Sequence, residues 1–192
     1  MNSANVTEKK TQSNGVGKFC EFDEKLSASI VQKLENSKTF FQWIALTGNN
    51  LPWITTSLLF LAFGLMLTRL EMLTHILTVL LAGLFATIVK YLVRRKRPCG
   101  KATKQYVTKG DFYSFPSGHA TRVACLAVLS VFLFPLVSWL FIIWALGVGI
   151  ARIVLKVHYV GDIIAGYIVG SIVAVPIGFF FFDIAQFLSL TF

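Results

Sequence analysis

Phe115-Pro116-Ser117-Gly118-His119-Ala120-Thr121-Arg122 stands where a basic loop meets a long apolar run. Proline near a helix start gives up only an N–H that would have no intrahelical partner. The next amides, those of Ser117, Gly118 and then His119, point out of a positive helix end, which suits an anion. A histidine just inside that end can hand a proton to whatever leaves the anion. The same residues also read as an ordinary capped helix with a stray histidine, so the surrounding sequence has to decide between the two.

Outward from this stretch the chain is apolar. It has 192 residues, 55% of them hydrophobic, and a mean hydropathy of +0.69. That is too apolar for a soluble domain of this length. The apolar residues fall in runs of roughly 20, the length that crosses a bilayer as helix. The fold class read from this is all-α: a polytopic membrane bundle of about five spans.

The spans read as Pro52–Thr68, Met72–Val93, Ser117–Pro135, Val137–Val157 and Asp162–Phe182, with Arg69-Leu70-Glu71 as a short turn between the first two. Residues 1–21 are polar and read as a disordered tail, leaving 22–192 as the membrane domain. From Phe22 to Ala45 the pattern is amphipathic, with too many charges for a span. It reads as a helix lying in the interface, anchored by Phe40, Phe41 and Trp43. Five spans put the tail, the loop after the second span and the loop after the fourth on one face.

The net charge of +9 concentrates in the loop Arg94 to Lys109. Such a patch can meet nucleic acid, an anionic lipid surface or a phosphorylated substrate. Between two spans it favours the last two, and no nucleic-acid partner is expected. Cys20, Cys99 and Cys125 lack metal-binding spacing. The polar N-terminus reads as one without a cleavable secretory signal.

Three clusters share the polar face. In Lys90-Tyr91-Leu92-Val93-Arg94-Arg95-Lys96-Arg97-Pro98, Lys90 and Arg97 are seven apart and share a helical face if helix continues that far. Both side chains suit phosphate oxygens. Arg94, Arg95 and Lys96 read better as juxtamembrane anchors. In the second cluster Arg122 follows His119 by three residues, and snorkelling or structural pairing is favoured over substrate contact. The third holds Arg152, Lys156, His158 and Asp162, with Lys156 read as facing headgroups. A carboxylate four residues after a histidine can fix its tautomer and leave the other nitrogen as nucleophile, or simply cap a helix. His75 lies near the opposite face and reads as interfacial. Acids in the membrane part are limited to Glu71, Asp111, Asp162 and Asp183, so no carboxylate cluster offers a metal site. Metal and cofactor are both expected to be none, with arginine and lysine neutralising the phosphate instead.

Together these residues resemble the type 2 phosphatidic acid phosphatase superfamily. Its motifs Lys-x6-Arg-Pro, Pro-Ser-Gly-His and Ser-Arg-x5-His-x3-Asp match at Lys90/Arg97/Pro98, Pro116/Ser117/Gly118/His119 and Arg152/His158/Asp162. Tyr113 to Arg122 and Thr47 to Trp53 look most like the polyisoprenoid (presqualene) diphosphate phosphatase branch. The resemblance implies a lipid phosphatase in which Lys90, Arg97, Arg152, Ser117 and Gly118 bind phosphate. His158, oriented by Asp162, would be the nucleophile that forms a phosphohistidine, and His119 the proton donor. The expected substrate is a polyisoprenoid diphosphate or monophosphate. The alternatives are a phosphatidic or lysophosphatidic acid phosphatase, or a non-catalytic lipid-binding or scaffold member of the fold. Its partners would be the lipid phosphate and the bilayer, in the endoplasmic reticulum or nuclear envelope of a eukaryotic cell or the inner membrane of a bacterium. The serine that opens the third motif is Ala151 here, which is expected to lower or retune activity.

Overall fold

The computed structural model describes residues 3–63, 66–98 and 111–191. Among the described residues seven α-helices follow one another: α1 Ser3–Leu34, α2 Lys38–Thr47, α3 Asn50–Phe63, α4 Met66–Val93, α5 Gly118–Leu133, α6 Ser138–Val154 and α7 Val160–Thr191. A single 3-10 turn, Glu35–Ser37, joins α1 to α2. Among the described residues there is no β-strand, only one antiparallel bridge between Lys96 and Tyr113. The all-helical reading of the sequence holds.

Among the described residues two helices are long and apolar enough to cross a membrane, Glu71–Val93 and Val160–Asp183. Three shorter apolar helices accompany them: Trp53–Phe63, Gly118–Leu133 and Ser138–Val154. Polarity is inverted relative to a soluble protein. Leu73, Leu77, Leu80, Leu84 and Ile88 form an exposed stripe on α4, and Ile164, Ile168 and Ile172 another on α7. Lys90, Arg152, His158 and Asp162 are buried. Large exposed apolar stripes of this kind need an apolar surrounding.

The core is built on α5, which packs most extensively on α7 and then on α6 and α4. Small residues allow the approach. A Cβ at Gly166 would come within 2.7 Å of the Ser117 carbonyl oxygen, and one at Gly170 would collide with that of Thr121. Cys125 donates its thiol to the Gly170 carbonyl at 3.2 Å and is fully buried, behaving as a core residue.

Three local readings change. Residues 69–71 are helical, inside α4, rather than a turn; arginine, leucine and glutamate are good helix formers, and charge alone does not break a helix. The helix bearing Lys90 stops at Val93, because Arg94 adopts the left-handed conformation (φ 52°) and returns its N–H to the Lys90 carbonyl at 2.9 Å. Lys90 and Arg97 therefore share no helical face. The amphipathic stretch is split by the 3-10 turn: Phe40 and Trp43 project outward while Phe41 packs on a buried cluster with Ala151, Leu155 and Val157. Helix α1 covers residues 3–34 and so takes in most of the polar stretch at the N-terminus. Most of the basic loop, residues 99–110, lies outside the described residues.

Candidate active site

The second half of the site is delivered by two backbone turns. After α6 ends at Val154, Lys156 takes a left-handed conformation (φ 58°), and the Val157 N–H returns to the Arg152 carbonyl at 3.2 Å. The chain thereby doubles back and carries His158 inward, where it is 2% exposed. Lys156 itself faces out and pairs with Glu35 at 3.4 Å. Across from this turn, Ser114 ties down the strand leaving α4. Its N–H reaches the Arg95 carbonyl at 2.9 Å and its hydroxyl the Lys96 carbonyl at 3.1 Å.

Arg97 is the hub. Its guanidinium donates to the Val157 carbonyl at 3.0 Å and lies 3.2 Å from Nε2 of His158. A guanidinium can only donate, so Nε2 is the bare nitrogen and Nδ1 carries the hydrogen. Nδ1 faces Asp162 Oδ2 at 3.5 Å, longer than an ordinary hydrogen bond. Burial, then the charges of Arg152, Arg97 and Lys90, push the His158 pKa well below its ordinary 6.5, against a smaller opposing pull from Asp111. The imidazole is therefore a neutral nitrogen base at neutral pH.

Four residues that the motifs do not specify complete this half. Asp111 pairs with Lys90 at 2.6 Å and with Arg97 at 2.7 Å. Burial alone would raise its pKa, but the bonds and charges of Lys90 and Arg97 hold it below the ordinary 3.8. Arg95 bridges Asp162 and Asp23, each at 2.8 Å, and stacks 4.2 Å over the Tyr159 ring. It is thus an internal strut, not the juxtamembrane anchor read from its position. Asp23 and Ser27 of α1 also accept the N–H groups of Gly161 and Val160, at 2.9 and 3.0 Å. The N-terminal helix thus caps α7 and holds the element that carries Asp162.

The other half is the start of α5. The Ser117 hydroxyl caps the helix by accepting the Ala120 N–H at 3.4 Å. Its own N–H is already given to the Asp162 carbonyl at 2.9 Å. Of the amides expected to meet an anion, those of Gly118 and His119 remain at the open end of the helix. His119 Nε2 lies 2.9 Å from the Asn49 side-chain oxygen, and Nδ1 lies 3.5 Å from Arg122 Nη2. The Ser117 N–H bond to the Asp162 carbonyl joins this half to the first, and the charges of Arg152, Arg122, His158 and Lys90 bear on His119.

Lys90, Arg97, Arg152, His119, His158 and Asp162 are all brought together. Asp23, Arg95, Asp111 and Asn49 were not assigned from the sequence. Only Asp111 carried a signal, as one of few acids in an apolar chain. Ala151 packs its methyl against Ala45, Leu155 and Val157, so the departure at that position leaves the charged set intact.

Known proteins are similar to this chain in sequence and in fold. The chain is 32% identical over 127 residues to an undecaprenyl-diphosphatase of Sulfolobus acidocaldarius, covering 65% of this chain and 61% of that one. It is 34% identical over 100 residues to a lipid A 1-phosphatase of Rhizobium johnstonii, covering 49% and 41%. The chain thus spans less than two thirds of the length of these curated relatives. The fold superposes on the crystal structure of a transmembrane PAP2 type phosphatidylglycerolphosphate phosphatase from Bacillus subtilis. The TM-score is 0.68 at 21% identity, over 85% of this chain and 86% of that one. Aquifex aeolicus LpxE superposes with a TM-score of 0.60 at 20% identity, over 73% and 84%. The sequence matches the PAP2 superfamily across residues 71–184, a stretch that holds both histidines and every cation around them, and the chain belongs to that superfamily.

Proposed function

We propose that this chain is a multi-pass membrane phosphatase that removes phosphate from lipid phosphates through a phosphohistidine. The observation that carries the reading is the bare Nε2 of His158, buried beside Arg97 and within the field of Arg152 and Lys90. The names of the relatives, an undecaprenyl-diphosphatase and a lipid A 1-phosphatase, support a lipid-linked substrate. We read the three shorter apolar helices as further spans, which makes five.

The phosphate enters the cradle of Lys90, Arg97 and Arg152, with the Gly118 amide completing it. These groups stabilise the charge on the equatorial oxygens. As the phosphate takes over Arg97, Nε2 of His158 is released. Its lone pair attacks phosphorus and the N–P bond forms, while the P–O bond to the lipid breaks. The departing oxygen takes a proton from His119. Water then attacks the phosphohistidine, His119 accepts its proton, and the N–P electron pair returns to Nε2. Asp162 Oδ2 faces the Nδ1 hydrogen and steadies the positive charge on His158, and Arg95 holds Asp162 in place. Ser117 serves the site by capping the helix that presents Gly118 and His119.

Purified protein in detergent with EDTA should release inorganic phosphate from farnesyl diphosphate, farnesyl monophosphate or phosphatidic acid, and His158→Ala should abolish the release. Turnover by that variant at the wild-type rate would overturn the reading. A folded wild-type protein that binds these lipids without hydrolysing them would favour a binding role.

A further inference from the structure

Arg122 is left over once the cradle is assigned. It lies outside the Pro-Ser-Gly-His motif, yet its guanidinium turns toward the site: Nη2 is 3.5 Å from His119 Nδ1, and Nη1 is 3.5 Å from where a Cβ on Gly118 would stand. Its Nε is buried without a hydrogen-bond partner, and among the described residues no carboxylate pairs with it. Beyond it opens a cavity of about 510 Å³ between α3, α4 and α5, walled by Trp53, Ile54, Leu58, Ile76 and Val79, with Asn49 and Arg122 also in its lining. Arg122 thus stands between His119 and a mostly apolar cavity, at the edge of the cradle.

A monophosphate uses only the cradle and the proton donor. We propose that Arg122 binds the second phosphate of a lipid diphosphate, so that the terminal phosphate lies in the cradle and the hydrocarbon chain runs into the cavity. This rests on the lipid-phosphatase reading and narrows its substrate. His158 Nε2 attacks the terminal phosphorus, and the bond from that phosphorus to the bridging oxygen breaks. The lipid monophosphate leaves with a proton from His119, its charge held by Arg122. Charge-assisted contacts to a leaving phosphate strengthen as the bridging oxygen gains charge, so they act on kcat as well as on binding.

The test compares farnesyl diphosphate with farnesyl monophosphate, in detergent with EDTA, for wild type, Arg122→Gln, Arg122→Lys and His158→Ala. Wild type is expected to favour the diphosphate in kcat/KM by about tenfold or more, the size of one charge-assisted hydrogen bond. It should release one inorganic phosphate for each farnesyl monophosphate formed. Arg122→Gln should remove most of that preference, and Arg122→Lys should keep part of it. A wild type without the preference overturns the proposal, as does an Arg122→Gln that loses equally on both substrates. If Arg122→Gln does not fold, the wild-type ratio and Arg122→Lys still decide. Phosphate release by His158→Ala at the wild-type rate would instead sink the lipid-phosphatase reading itself.

Discussion

The carboxylate of Asp111 lies 2.6 Å from the ammonium of Lys90, and its other oxygen reaches Arg97 at 2.7 Å. An internal anion thus occupies two of the cations assigned to the substrate phosphate. Asp111→Asn should remove that competitor and lower the Ki of inorganic phosphate by about threefold to tenfold, the scale of one partly exposed ion pair or slightly more. Competitive inhibition assays on the two proteins measure it. An unchanged or raised Ki would show that Asp111 instead helps to build the cradle.

Arg95 holds two buried carboxylates at once, those of Asp23 and Asp162. Arg95→Met leaves both without their cation and should cost about 3 kcal/mol or more. Its neighbour Arg94 is exposed and, among the described residues, bonds only to the Tyr91 carbonyl, so Arg94→Ala should change stability little. Thermal unfolding in detergent separates the pair, and equal melting temperatures for the two variants would contradict the strut.

That contrast shows where the sequence was readable. Motif spacing located Lys90, Arg97, His119, Arg152, His158 and Asp162, because each lies at the polar end of an apolar run. It was silent on Arg95 against Arg94, two identical residues side by side, since only the turn at Arg94 decides which one points inward. Asp23 was equally hidden, because its role depends on α1 folding back onto the head of α7 over a separation of 138 residues. The helical class followed from hydropathy, whereas the end of α4 followed from a single left-handed residue that no periodicity records.

Asn49 faces His119 Nε2 at 2.9 Å and so fixes the ring of the proposed proton donor. Asn49→Ala should lower kcat about tenfold, a fraction of the range for general acid catalysis, with KM changed little. Asn49→Asp, which keeps an acceptor oxygen, should restore part of the rate. A change confined to KM would assign Asn49 to substrate binding instead.

Packing of α5 on α7 sets the distance between His119 and Asp162. Gly170→Ala places a methyl against the Thr121 carbonyl and the Ala124 side chain. Overpacking of this kind costs about 1–3 kcal/mol. The variant should melt lower and lose activity together, and a variant with full stability and full activity would show that the helices do not need this approach.

His158 is neutral in the folded chain and protonates near its ordinary 6.5 once unfolded. Below that pH the unfolded chain binds the extra proton, so stability should fall as pH drops through 6.5. Melting temperatures from pH 8 to 5 should fall in wild type and fall less in His158→Gln. Identical profiles would mean that the imidazole is charged in the folded state.

The most direct measurement is to trap the covalent intermediate. Purified protein is mixed with a terminally ³²P-labelled lipid diphosphate in EDTA, quenched in alkali and mapped. Acid-labile label should sit on His158, vanish in His158→Ala and persist in His119→Ala wherever breakdown is slower than formation. Label on another residue, or unimpaired turnover without any label on His158, would contradict it.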